Sequence, residues 1–303
     1  MGAETLKRPL VIWLMAIRPR TLALSVSPVL LATALAAVDQ PDGIEWHLPL
    51  LIILAALAIQ AGTNLFNDSA DYLNGTDNET RIGPARVTAS GLATPAEVMR
   101  AGYLAFLLAG VIGLYLVWLG GLPILLLGIC SLLAGYAYSR GPWPISRTPF
   151  GELVVVLFFG LGAVVGTYYL QTGSYRAVLL LWGALVGLPA AAVLLVNNTR
   201  DVVSDTRAGR RTLAILLQPG ARYSIYAGLM LMPFLLLLSA VLAAAYPYWA
   251  LLGGVALPIA VSACVRFCKL EPSPEMNGLL KQTVQTQLLM VAGVCTGLVL
   301  AVN

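Results

Sequence analysis

Repeated apolar stretches, each near the roughly 20 residues needed to cross a bilayer, constrain this chain more than any other feature. They occupy about nine windows, 11–38, 48–66, 96–118, 122–139, 153–170, 177–196, 223–245, 248–267 and 283–302, with polar breaks between them. Of the 303 residues 59% are hydrophobic and only 11% charged, which excludes a soluble globular domain. The runs are continuous rather than alternating, which excludes the strands of a membrane barrel. The expected fold is an all-α polytopic membrane protein, a single transmembrane domain over 1–303. Its first window follows Lys7 and Arg8, carries Arg18 and Arg20 near its start, and is too long for a signal-peptide core, so it reads as the first span.

The basic residues orient the helices. With the N-terminus inside, the 67–100, 139–150, 197–222 and 267–282 connections share its side, and of 18 Lys and Arg only Arg176 falls opposite. The other connections are acidic or bare, with Asp39, Asp42 and Glu45 in one of them. The N-terminus and the basic loops are therefore expected in the cytoplasm, and a bacterial inner membrane is the expected location. On this reading the net charge of +4 is a topology signal, and no nucleic-acid partner is implied. Cys130, Cys264, Cys268 and Cys295 lie in or beside spans, which argues against a disulfide scaffold. Tyr168 and Tyr169, near the outer end of the fifth window, are expected in an interfacial aromatic belt. His47 also falls outside and is not expected to act as a base.

Polar residues at membrane helices are costly unless buried in protein or wet, so clusters of them point to function. Residues 64–86, NLFNDSADYLNGTDNETRIGPAR, close the second window; residues 197–213, NNTRDVVSDTRAGRRTL, close the sixth. Both fall on the cytoplasmic side and repeat one pattern, Asn64, Asp68 and Asp71 in the first, Asn197, Asp201 and Asp205 in the second. Those offsets put each trio on one helical face. Asn67, Asp77 and Asn198 join them. The motifs are about 133 positions and four spans apart, consistent with a parallel duplication of a four-helix unit plus a ninth helix.

Crowded carboxylates repel one another unless a cation lies between them. Hard divalent cations prefer oxygen ligands, and Mg2+ is usually held by one or two carboxylates plus substrate phosphate oxygens. Two facing Asp-rich helix ends therefore suit a Mg2+-bridged diphosphate. Asn can add a neutral oxygen ligand or an amide donor. Arg81 and Arg86 follow the first motif, and Arg200, Arg207, Arg210 and Arg211 thread the second. Guanidinium forks bind phosphate oxygens in pairs, although Arg-rich loops also serve topology alone.

The residues resemble a known family. N-D-x-x-D-Y-x-x-G-x-D (Asn67, Asp68, Asp71, Tyr72, Gly75, Asp77) and N-N-x-R-D-x-x-x-D-x-x-x-G-R-x-T-L (Asn197 to Leu213) are similar to the paired motifs of the UbiA superfamily of intramembrane aromatic prenyltransferases. The 1,4-dihydroxy-2-naphthoate polyprenyltransferase branch is the nearest. RPRTLALSVSPVLLATALA, YSRGP at 138–142 and FGELVVVLFFGLGAVVGTYYLQTG at 150–173 agree with it. Arg210 departs from the Lys expected after the glycine. The resemblance implies nine helices around a central cavity, two or more Mg2+ ions, and transfer of a polyprenyl group from its diphosphate to an aromatic acid with loss of CO2.

It also implies site residues. Asp68, Asp71, Asp201 and Asp205 would hold the metal with Asn67 and Asn198, supported by Asn64 and Asn197, with Asp77 beside them. Arg81, Arg86, Arg200, Arg207, Arg210 and Arg211 would steady the diphosphate. Tyr138, Arg140 and Glu152 are further substrate-binding candidates, and Glu152 also suits a helix N-terminus. Homogentisate or 4-hydroxybenzoate would be alternative acceptors. An ion-coupled transporter is the rival from another class, and it predicts ionisable groups near the bilayer midplane. Nothing in the sequence reads oligomeric state.

Overall fold

The computed structural model describes residues 9–40, 43–77, 82–244 and 246–302, and these are helical with irregular connections. The helices are α1 (Pro9–Ile17), α2 (Pro19–Asp39), α3 (His47–Leu73), α4 (Pro95–Ala137), α5 (Gly151–Thr172), α6 (Leu179–Arg200), α7 (Val202–Arg207), α8 (Leu213–Leu216), α9 (Pro219–Ala244), α10 (Tyr248–Lys269) and α11 (Met276–Val302). Among the described residues, eight helices are long and apolar enough to cross a membrane.

The nine expected windows map onto eight helices because two of them, 96–118 and 122–139, lie in α4. A straight helix of its 43 residues would run about 65 Å, twice the hydrocarbon core. It does not run straight. Gly121 adopts φ 65°, ψ −150°, a conformation that glycine alone reaches readily. The two arms then double back: the Phe66 ring touches Tyr103 and Phe106 of the first arm and Tyr136 of the second, at centroid distances of 5.0, 5.1 and 5.5 Å. The two arms of α4 account for two crossings.

At the centre stands α6, the most enclosed of the spans, with Trp182, Leu185, Val186, Ala191, Leu195 and Val196 fully buried. Small residues let α5 approach it. Over Val156–Gly162 α5 widens into a π-helical stretch, and a Cβ added at Gly160 would lie 2.4 Å from the carbonyl oxygen of Gly183. Gly187 faces the same contact, where an added Cβ would lie 3.1 Å from the Gly160 Cα. Gly160→Ala is therefore expected to lower stability by about 1–3 kcal/mol, as overpacking does, and thermal unfolding in detergent measures it.

At the opposite end of the bundle from the acidic motifs, one carboxylate ties four segments together. Asp39 Oδ2 accepts hydrogen bonds from the hydroxyls of Tyr168 (2.8 Å) and Tyr246 (3.0 Å) and pairs with Arg176 Nη1 at 2.6 Å. This corrects the aromatic-belt expectation for Tyr168, which is 1% exposed and packs in the core because its hydroxyl has a buried-side partner. It also explains why the single basic residue expected on that side is there.

Candidate active site

The two acidic motifs end on one cavity of about 520 Å³. Its polar end is lined by Arg18, Asn64, Asn67, Asp71, Arg86, Tyr138, Asn197, Asn198, Asp201, Asp205 and Arg210. Its body is apolar, with Leu24 and Val29 from α2, Ile52 from α3, Val117 and Leu127 from α4 and Phe158 and Phe159 from α5. Leu114, Leu125 and Ile129 of α4 also line it and are exposed on the outside of the bundle, so the apolar part reaches the lipid-facing surface. One polar rung crosses the body, where the Ser25 hydroxyl donates to Gln60 Oε1 and Gln60 Nε2 donates to the Thr21 carbonyl (2.8 Å).

Two arginines stitch the motifs together. Arg210 Nη2 pairs with Asp71 of the first motif and its Nη1 lies 3.3 Å from Asp205 Oδ1 of the second. Burial by itself pushes that guanidinium down, but Asp71 and Asp205 outweigh it and hold it above its ordinary value. Arg86 Nη2 donates to Asn67 Oδ1 (3.0 Å) and Asp71 Oδ2 (3.3 Å), while its Nε pairs with Asp77 Oδ2 at 3.3 Å. Each keeps a buried donor without a hydrogen-bond partner among the described residues, Nη1 of Arg86 and Nε of Arg210, and both residues line the cavity. A buried guanidinium N–H left unpaired is costly, so an oxyanion in the cavity would be bound strongly.

Residues 25–277 match the UbiA prenyltransferase family. The chain belongs to that family. It is 36% identical over 251 residues to the 1,4-dihydroxy-2-naphthoate octaprenyltransferase of Mycobacterium tuberculosis, spanning 83% of this chain and 84% of that one. The Escherichia coli protein of the same name is 32% identical over 293 residues, 93% of this chain and 94% of that one. A solved structure of a UbiA homolog from Archaeoglobus fulgidus bound to DMAPP and Mg2+ superposes with a TM-score of 0.60 at 14% identity, covering 93% of this chain and 98% of that one, and shares the fold.

Not every residue expected in the site of this UbiA-family chain reaches the cavity. Asp68 turns away. Its Oδ2 accepts from Val87 N (3.2 Å), and its Oδ1 accepts from Thr88 N (3.1 Å) and the Thr88 hydroxyl. At 1% exposure it clamps the return loop that carries Arg86. Asp77, also buried, serves as the partner of Arg86.

Around the second motif, α6 stops at Arg200 and α7 begins after Asp201 (φ −94°, ψ 9°), so the expected trio is split across a break. Arg200 is fully committed there. It grips Asp201 with Nε (2.8 Å) and Nη2 (2.6 Å) and donates to Asn197 Oδ1 (2.8 Å) and Asn277 Oδ1 (2.7 Å). Arg207 and Arg211 are exposed and do not line the cavity, and Arg140 lines a different pocket. Arg81 lies outside the described residues.

Glu152 is buried behind Asn198 and accepts from its Nδ2 at 2.9 Å, which leaves the Asn198 oxygen for a ligand. Glu152→Gln is expected to weaken binding of a ligand at the Asn198 oxygen about tenfold, the usual cost of losing an outer-shell partner, with KM moved more than kcat. Tyr138 lines the cavity, where desolvation and then the charges of Glu152 and Asp71 push the phenol above its usual range.

Sequence reasoning missed Arg18, Asn277 and Thr88. Arg18 holds a left-handed backbone (φ 56°) in the break between α1 and α2 and donates to Asn67 Oδ1 at 3.2 Å. The Arg-Pro at 18–19 was the available signal, since a residue before proline avoids the helical region.

Proposed function

We propose that the chain transfers a polyprenyl group from polyprenyl diphosphate to 1,4-dihydroxy-2-naphthoate, releasing diphosphate and CO2, in menaquinone biosynthesis. The observation that carries this is one cavity with two chemistries: paired carboxylate motifs and unspent guanidinium donors at its polar end, and an apolar body open to lipid. The names of relatives covering most of this chain support the naphthoate acceptor. Ionisable groups gather at one end of the cavity rather than along it, which favours a diphosphate site over a transport path.

The donor set fits Mg2+. Asn67, Asp71, Asn198, Asp201 and Asp205 present only oxygens and carboxamides to the cavity, and hard cations select such ligands. Among the described residues no three carboxylate, imidazole or thiol groups form a complete cage, so phosphate oxygens would finish the coordination. Bound there, Mg2+ would supply positive charge against the departing diphosphate. Asp68 takes the role of loop clamp, and Arg200 positions Asp201.

The protein's own groups do the rest. Arg86 and Arg210 face the diphosphate and stabilise the charge that grows as its C1–O bond breaks and the electron pair leaves with oxygen. The apolar walls keep water from the allylic cation that remains. The ring carbon bearing the carboxylate attacks C1, a C–C bond forms, and CO2 departs, returning its bonding pair to the ring. The prenyl tail lies along the apolar body toward the α4 opening.

The membrane orientation proposed with this function places the N-terminus and the polar end of the cavity in the cytoplasm of a bacterial cell, beside soluble acceptor and diphosphate. Incubating purified protein with dihydroxynaphthoate, a polyprenyl diphosphate and Mg2+ tests the proposal. A product heavier by the prenyl group and lighter by CO2 is expected, lost on chelation of the metal. Conversion of homogentisate or 4-hydroxybenzoate with dihydroxynaphthoate untouched would overturn the acceptor.

A further inference from the structure

A second, polar pocket of about 450 Å³ lies behind the active cavity at the same end of the bundle. The segment joining α4 to α5 separates the two: Tyr138 and Ser146 face the active cavity, bonded to each other through Ser146 N and the Tyr138 carbonyl (2.8 Å), while Ser139, Arg140 and Arg147 face the second pocket. Among the described residues its lining holds two guanidinium groups and no carboxylate. At the helix end beside it, the amides of Asn74, Gly75 and Thr76 cap the carbonyls of Ala70, Tyr72 and Asp71.

Three donors there are unspent. Arg140 is half-buried, and its guanidinium makes no hydrogen bond or ion pair with the described residues. Arg147 uses Nη2 on the Ala208 carbonyl (2.7 Å), leaving its other N–H groups. The Ser139 hydroxyl is buried at 4% exposure without a partner among the described residues, as an orphaned donor awaiting an acceptor would be. Positive charge, fork geometry and a buried hydroxyl together select a phosphate oxyanion.

The setting says where that phosphate comes from. Trp143 beside the pocket is 85% exposed, Tyr72 and Leu73 of α3 are exposed, and α4 is the span least covered by protein. Aromatic residues at such a rim sit at headgroup level. We propose that this pocket is a phosphate site filled by the headgroup of an anionic phospholipid. It is separate from the prenyl-transfer site and does not depend on the acceptor assigned above. Arg147 links them mechanically: its carbonyl accepts from Arg211 N (2.9 Å), so the same residue holds both ends of the turn that carries Arg210.

The test is native mass spectrometry of the purified full chain exchanged into phosphatidylglycerol or phosphatidylcholine vesicles. The wild type should retain phosphatidylglycerol selectively, and Arg140→Gln and Ser139→Ala should each weaken that retention about tenfold, the effect of one charge-assisted contact. Arg140→Lys should recover part of it. Because neither side chain makes a hydrogen bond with the described residues, unfolding midpoints in phosphatidylcholine should be unchanged, which separates lost binding from lost folding. Equal retention by the wild type and both variants overturns the site. Displacement of the lipid by millimolar inorganic phosphate overturns the headgroup in favour of a soluble anion.

Discussion

Alanine at Asp71 is expected to lower kcat/KM for prenyl transfer by about a thousandfold or more, and alanine at Asp205 to do the same. Each carboxylate has two tasks. It is a candidate metal ligand at the polar end of the cavity, and it holds Arg210 between the motifs. Losing a preorganised charge aimed at the leaving group costs about 100- to 1,000-fold by itself. Losing Asp71 also leaves Arg86 and Arg210 short of a buried partner, and breaking a buried pair from one side costs several kcal/mol. The two alanine variants should not be additive when combined, because residues acting as one unit share a single loss. Single-turnover rates with a labelled polyprenyl diphosphate, measured on protein of checked fold, decide this.

A different outcome is expected one helical turn earlier in the same motif. Asp68→Ala removes a buried carboxylate that accepts from two backbone amides and a hydroxyl. Hydrogen bonds to a charged group contribute about 1.5–3 kcal/mol each, not additively, so a stability loss of about 3 kcal/mol or more is expected, read as a lower unfolding midpoint. Activity should fall as well, because the released loop carries Arg86. The two roles differ in the metal dependence of what remains folded. A clamp variant should need Mg2+ at nearly the wild-type concentration, whereas a lost ligand, as in Asp71→Ala, should raise the requirement at least tenfold.

The bundle was legible because membrane spans follow from length and hydropathy, and those are properties of single segments. Counting needed one conformational detail: the windows 96–118 and 122–139 are separated only by the kink at Gly121, whose positive φ turns them into a hairpin. The two acidic motifs were legible too, since buried carboxylates at the ends of greasy helices have few structural explanations. Which carboxylate faces the cavity was not. Spacing puts Asp68 and Asp71 near one face, but the choice between them belongs to the loop that returns to Val87 and Thr88.

The same limit applies to the arginines. Arg200 and Arg210 look alike in the sequence, yet one is spent on Asp201, Asn197 and Asn277 and the other spans the motifs. Asn277 lies 77 positions from Arg200, a distance no local pattern bridges. Tyr168 fails for a related reason, because its partner Asp39 is 129 residues away.

Arg210 also gives the departure from the family motif a physical meaning. Its planar fork reaches Asp71 with one nitrogen and Asp205 with another, which the single ammonium of a lysine does less well. Joining the two motifs through a guanidinium relieves repulsion between Asp71 and Asp205.

The most direct measurement is an experimental structure of the protein with a non-reacting prenyl thiodiphosphate and Mn2+ in place of Mg2+, with the metal located by its anomalous scattering. Metal is expected between the motifs, bound by Asp71 and Asp205 with the diphosphate oxygens, with Arg86 and Arg210 on the phosphates and Asp68 still holding Val87 and Thr88. Metal ligated by Asp68 with that loop released, or a diphosphate bound away from both motifs, would contradict it.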